Sequence, residues 1–222
     1  VDRTLGHAVR KAAKTVEHLF FASGTQALVR DQQFVTELLS RAKGLAFLTV
    51  IRAGFVGTAR FGTGLVVAKL PDGTWSAPSA IATVGGSIGG VGVDITDVTL
   101  VLNSAKAVRT FSGAGGVQLG VGVSLALGPV GRSGEAEAAI GWKGAVAPVY
   151  AYSQSKGLFA GAMARVGMVI RRGKVNLRYY GKAVAVPDLL SGKHPPPTNA
   201  EPLYAALRHA LFDHVDARGV VT

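Results

Sequence analysis

The chain has 222 residues, with 24 Lys and Arg against 13 Asp and Glu for a formal charge of +11, and 48% of it is apolar. That apolar share excludes a disordered chain, and the length suits one large domain or two small ones. The absence of cysteine excludes a disulfide framework, a thiolate metal site and a cysteine nucleophile, and it fits a reducing compartment.

The first element is an amphipathic helix, DRTLGHAVRKAAKTVEHLFF. At about 100° per residue, Leu5, Val9, Ala12, Val16, Leu19 and Phe20 share one face, with Arg3, Arg10 and Lys14 nearly opposite. His7, Lys11 and His18 widen the basic side. The stretch from 1 to 22 is charged and amphipathic rather than continuously apolar, so it is not a signal peptide. Val1 in first place reads as the start of a piece of a longer chain. A turn at Ser23-Gly24-Thr25 precedes a second helix, placed at 25–43, with an Asp31 cap and a glycine stop at Gly44.

From Leu45 the period moves toward 2. LAFLTVIRAGFV, GTGLVVAKL, TWSAPSAIAT and VGVDITDVTLVL read as strands, with a turn at Pro71-Asp72-Gly73. Asn103 and Ser104 cap a short helix, AKAVRTF, and glycine-rich strands follow from Gly115 to Leu127. EAEAAIGW, VAPVYAYS and GLFAGAMARVGMVI continue the strand pattern to a turn at Arg171-Arg172-Gly173-Lys174, from which VNLRYY returns as a strand. The last helix spans 198–216, behind Pro195-Pro196-Pro197, with Thr198 and Glu201 spaced as a capping box. The order predicts a single α+β domain over 1–222: an antiparallel β-barrel or sandwich core, mainly β over 45–186, with N-terminal amphipathic helices and a C-terminal helix. Two long uncharged stretches, Gly73 to Val93 and Thr110 to Gly131, are too rich in glycine to be membrane-spanning helices.

The charge is unevenly placed. Residues 1–60 hold nine cations against four acids, residues 61–140 four against five, and residues 141–222 eleven against four. Two basic flanks around a neutral, glycine-rich centre call for a polyanionic partner: nucleic acid, an anionic membrane surface or an acidic protein. Nucleic acid fits poorly. Aromatics make up only 7% of the chain and lie mostly inside apolar strands, and no helix-turn-helix or zinc pattern occurs. A helix with Leu, Val and Phe on one face and Arg and Lys on the other has the form of an interfacial anchor. The same face could equally pack on the protein's own core.

Catalytic motifs are weak. Gly85-Gly86-Ser87-Ile88-Gly89 matches the nucleophile elbow, with Asp188 and His209 in hydrolase order, but a strand pattern follows where the elbow needs a helix. Ser153 to Lys156 matches S-x-x-K without its companion motifs. His209, Asp213, His214 and Asp216 offer a metal no defined third ligand, and Asp94 and Asp97, three apart in a strand, point to opposite faces. Neither a phosphate loop nor a dinucleotide fingerprint is present, so no cofactor is indicated.

Several segments resemble the SYLF domain, the lipid-binding module of actin-patch and endocytic proteins, often joined to SH3 or FYVE domains. The matching stretches are RAKGLAFLTVIRAGF, GTGLVVAKLPDGTWSAPSAI, VTLVLNSAKAVRTFSG, LGPVGR, VYAYSQSKGLFAG, RYYGKAVAVPDLLSG and EPLYAAL, in collinear order over almost the whole chain. The resemblance implies a non-enzymatic module that binds phosphoinositide membranes, with the N-terminal helix in membrane contact. It also implies a cytoplasmic protein held peripherally on endosomal or plasma membranes, and in some members actin binding and bundling. The candidate lipid-contacting residues are Arg3, Leu5, Val9, Arg10, Lys11, Lys14 and Val16 on the first helix, Arg41 and Lys43 before the first strand, and Arg171, Arg172 and Lys174 in the late turn. The alternative is an actin-filament module that uses the same basic surface.

Overall fold

The computed structural model describes residues 3–21, 39–55, 57–88, 91–112, 117–118, 125–127, 149–160 and 168–216. The second predicted helix lies outside these except at 39–43, of which 39–41 are helical. EAEAAIGW and most of the glycine-rich strands from Gly115 to Leu127 lie outside them too.

Alternating apolar side chains build the strands, and glycine lets them approach. Helix α1 (Arg3–Phe21) precedes four long strands: β1 (Gly44–Gly54), β2 (Gly57–Ala68), β3 (Ser79–Ile88) and β4 (Val91–Leu102). Helix α2 (Ala105–Ser112) follows, then β5 (Val117–Gln118), β6 (Leu125–Leu127), β7 (Val149–Ala160) and β8 (Met168–Arg171). Three helices close the chain: α3 (Gly173–Tyr180), α4 (Val186–Leu190) and α5 (Glu201–Asp216). The strands form one sheet in the order β5-β8-β3-β2-β1-β4-β7-β6. Its pairs are antiparallel except β6 with β7. The α+β class, the antiparallel sheet and the helices at both ends agree with the sequence. Among the described residues the order runs from β5 to β6 without closing on itself, and helices pack on both faces of this sheet.

Period 2 assigns the faces. Leu45, Phe47, Leu65, Val67, Ala80 and Val101 point to one side and meet the apolar residues of α1, α3 and α5 in the first core. Ala46, Leu48, Val66, Ile81, Leu100 and Leu102 point to the other, against Ala107 and Phe111 of α2 and Val186 and Leu190 of α4. At Gly64 the neighbouring strand comes so close that a Cβ would stand 1.8 Å from the Phe47 carbonyl oxygen, so only glycine fits there.

Turn and cap chemistry follows the sequence in two places and departs from it in two. Ser104 Oγ accepts the Ala107 amide hydrogen, capping α2. In the turn after β2, Gly73 takes φ +83°. There Asp72 accepts the Thr74 amide and hydroxyl hydrogens, which hold its carboxyl below the usual range. Arg171-Arg172-Gly173-Lys174, by contrast, is not a hairpin tip. Arg171 ends β8, Arg172 stands at the N-cap, and Gly173 and Lys174 begin a helix that stops at Gly181 in the left-handed conformation. Val175 and Tyr179, one turn apart, bury against the first core, which selects a helix over a returning strand. The capping box at Thr198 does not form either. A 3-10 turn over Thr198–Ala200 leads into α5 without a side-chain cap, and Glu201 pairs with Arg208.

Candidate functional site

The basic face sought from the sequence begins on α1. Leu5 is 1% exposed, Val9 0% and Val16 2%, so this face of the helix is core, packed over the sheet against α5 and α3. The apolar stripe that could insert in a membrane is occupied by the protein's own interior. Arg10 and Lys14 are exposed on the other side, with His7, Glu17 and His18, and Arg3 stands in the first turn. Lys11 sits at the helix edge facing the sheet. Its Nζ lies 2.6 Å from Asp97 Oδ1, which also accepts the Thr49 hydroxyl at 2.8 Å. A cavity of about 20 Å³ lies beneath, lined by Ala8, Thr15, Thr63 and Gly64 among others.

Helix α3 continues the basic surface. It packs against α1, and Tyr179, at that contact, lies within reach of the Arg10 charge. Burial is the stronger influence and pushes the Tyr179 hydroxyl up to about 12. Lys174, Leu177 and Arg178 are exposed at i, i+3 and i+4, a cationic stripe with an apolar residue inside it. Reading VNLRYY as a strand hid Leu177 and Arg178. The i, i+4 spacing of Val175 and Tyr179, with Gly181 beyond, was the signal for a helix.

Asn176, fully buried, fixes α3 to the sheet. Its side chain accepts the Ala80 amide hydrogen at 2.8 Å and donates to Ser79 Oγ at 3.0 Å. The hydroxyls of Tyr180 and Tyr204 donate to the carbonyls of Pro78 and Ser76, anchoring α3 and α5 to the segment before β3. Arg171 and Arg172 are half-buried at the end of β8, where the Arg172 amide donates to the Ala80 carbonyl. Arg41 and Lys43 are exposed just before β1, where the Lys43 backbone bonds Leu102 and Lys69. They thus stand at the start of the sheet, beside Leu39 and Ala42 of the first core.

The motifs weighed for catalysis fall on regular structure. Ser87 lies in β3, in register with Thr58 of β2, so it stands within a paired strand and not on a strand-to-helix turn. Ser153 and Lys156 lie in β7, three apart and hence on opposite faces. Asp94 is buried and pairs with Arg52 at 3.2 Å across the sheet from the α1 side, whereas Asp97 faces α1. Among the described residues no three His, Asp or Glu are grouped to hold a metal ion. No described helix is long and apolar enough to cross a membrane.

Residues 83–210 match the family model Ysc84, described as "Las17-binding protein actin regulator". Over 220 residues the chain is 42% identical to LAS seventeen-binding protein 3 of Saccharomyces cerevisiae, covering 99% of this chain and 47% of that one. It is 44% identical over 214 residues to Protein YSC84 of the same yeast, covering 96% and 45% of the two chains. Against SH3 domain-containing YSC84-like protein 1 of Homo sapiens, identity is 39% over 210 residues, covering 93% and 59%. The chain thus spans about half the length of the curated relatives it matches. With a family model matched over more than half its length and these levels of identity, the chain belongs to the Ysc84 family, the SYLF domain that its sequence resembled.

Proposed function

We propose that this chain is a non-catalytic module that attaches an actin-regulatory protein to anionic, phosphoinositide-bearing membranes at the cytoplasmic face. The observation that carries this reading is the pairing of a docked α1 with outward cations. Arg10 and Lys14, with Lys174 and Arg178 on the adjoining helix, are exposed while Leu5, Val9, Val175 and Tyr179 are buried in the first core. Each cation near an anionic leaflet contributes about 1 kcal/mol, and salt screens the attraction. Flotation with phosphoinositide-containing vesicles is therefore expected at low salt, to fall steeply at high salt, and to be absent with neutral vesicles. Equal binding to both lipid compositions refutes this reading.

A second reading is favoured by the family description, which names an actin regulator and a Las17-binding protein. In it the same basic surface meets an acidic filament or an acidic protein partner. Co-sedimentation with actin filaments, run beside flotation, separates the two. Arg10→Glu with Lys14→Glu is the shared probe, and the assay in which it abolishes binding identifies the partner of this surface.

A further inference from the structure

One end of the sheet is apolar and open on the side that carries α1. The register brings Val84, Phe61, Ile51 and Ile95 into one row across β3, β2, β1 and β4. All four point to the α1 side and all four are exposed, Phe61 by 60% and Ile51 by 49%. The next row outward holds only alanine, glycine and Val93, which is 61% exposed, and at the end of β1 Phe55 is 78% exposed. Strands about 4.8 Å apart make this row about 15 Å wide. A row of large apolar side chains left in water on four adjacent central strands is a surface with a partner.

Charge identifies that partner. One row inward, toward α1, stand Thr49 and Asp97, and Lys11 and Lys14 lie on the helix beyond. Asp97, the acid in the row next to the apolar one on that side, is neutralised by Lys11. Apolar and aromatic side chains beside a cationic helix are what a bilayer interface with anionic headgroups accepts.

We infer that the membrane-inserting element of this domain is the exposed sheet end around Phe61, Ile51 and Phe55, with α1 remaining docked and supplying headgroup-facing cations. The inference rests on the membrane reading of Proposed function, and it moves insertion from the helix to the sheet. The occupant of the apolar row is the interfacial layer of an anionic leaflet, and Phe61 and Phe55 are the side chains that enter it.

The chain has no cysteine, so single cysteines can report on each surface. Phe61→Cys and Lys14→Cys, each carrying an environment-sensitive fluorophore, are compared on phosphatidylcholine vesicles with and without phosphatidylinositol phosphate. On the anionic vesicles the label at 61 is expected to shift to the blue and to be quenched by lipids brominated in their acyl chains, while the label at 14 stays in a polar environment. In parallel, Ile51→Thr with Phe61→Thr keeps strand propensity and removes the apolar row. Its melting temperature is expected to match the parent, and its affinity for anionic vesicles to fall at least tenfold. Unchanged affinity overturns the inference. A large fall in melting temperature also overturns it, because the row would then be packed by another part of the chain. A parent dimer that the variant converts to a monomer, with vesicle binding intact, assigns the row to a second copy and overturns it equally. A parent that binds no anionic vesicle removes the membrane reading itself. A parent that binds while the label at 61 stays polar removes only the sheet end.

Discussion

Replacing Leu5 and Val9 with alanine tests whether α1 is a structural helix in solution. Both side chains are buried against the sheet and α5, and neither makes a polar contact, so the change removes packing alone. Leu→Ala in a core costs about 2–5 kcal/mol, depending on how far the site collapses. Val→Ala removes two methyl groups at about 0.8 kcal/mol each, and the cavity raises this to about 2 kcal/mol. The residues are one turn apart, so their costs need not add, but a combined loss of about 4–6 kcal/mol is expected. Domains of this kind have about 5–15 kcal/mol of stability in all, so the double variant should lose from about a quarter of it to all of it. Urea unfolding followed by circular dichroism reads this as a large fall in midpoint with the slope unchanged. The matched control, Arg10→Ala with Lys14→Ala, alters only exposed positions and should stay within about 0.5 kcal/mol of the parent. If the Leu5/Val9 variant unfolds at the parent midpoint, α1 is not part of the core and the docked-helix account is wrong.

Three further outcomes follow from buried polar groups. Asp94→Ala leaves Arg52 buried without its carboxylate and should cost about 3 kcal/mol or more in urea unfolding, with little response to salt; a loss under about 1 kcal/mol contradicts the buried pairing. Asn176→Ala strips the Ala80 amide of its acceptor and should cost about 1–3 kcal/mol, and a variant as stable as the parent would show that α3 is not held there. Burial raises the hydroxyls of Tyr179, Tyr180 and Tyr204. An unfolded tyrosine ionises near pH ~10, so the stability tied to these groups is whole below that value. It is lost as pH rises from there through the folded value, about 12 for Tyr179. Absorbance of the phenolate should show these three of the five tyrosines resisting ionisation until unfolding begins, and a single transition near the ordinary value for all five refutes it.

Local chemistry made much of this fold legible. The 3.6 period of α1 fixed its buried face, and that face proved to be the one built by Leu5, Val9, Ala12 and Val16. Alternation marked the four long strands, and the Asp72-Gly73 turn and the Ser104 cap carried their own signals. What failed was local pattern under tertiary control. VNLRYY alternates well enough to pass for a strand, but Val175 and Tyr179 have a core to enter only if the segment is helical. Thr198 and Glu201 have capping-box spacing, yet a 3-10 turn between them draws Glu201 to Arg208. The apolar row at the sheet end could not be read at all. Ile51, Phe61, Val84 and Ile95 are scattered over 45 residues, and only the register of three strand pairs makes them neighbours.

The central claim is that α1 stays docked when the domain meets a membrane, offering its cations while its apolar face remains in the core. Hydrogen exchange along residues 5–16 and in β1 and β2, measured in solution and on phosphoinositide-containing vesicles under conditions where the protein is fully bound, tests it most directly. The account predicts that the amides of Leu5, Val9, Ala12 and Val16 keep the same protection in both states, with the β strands beneath them unchanged. Loss of protection in β1 and β2 beneath the helix on vesicles, at Phe47 and Leu65 above all, would show that α1 has left the core to insert, and would contradict the account.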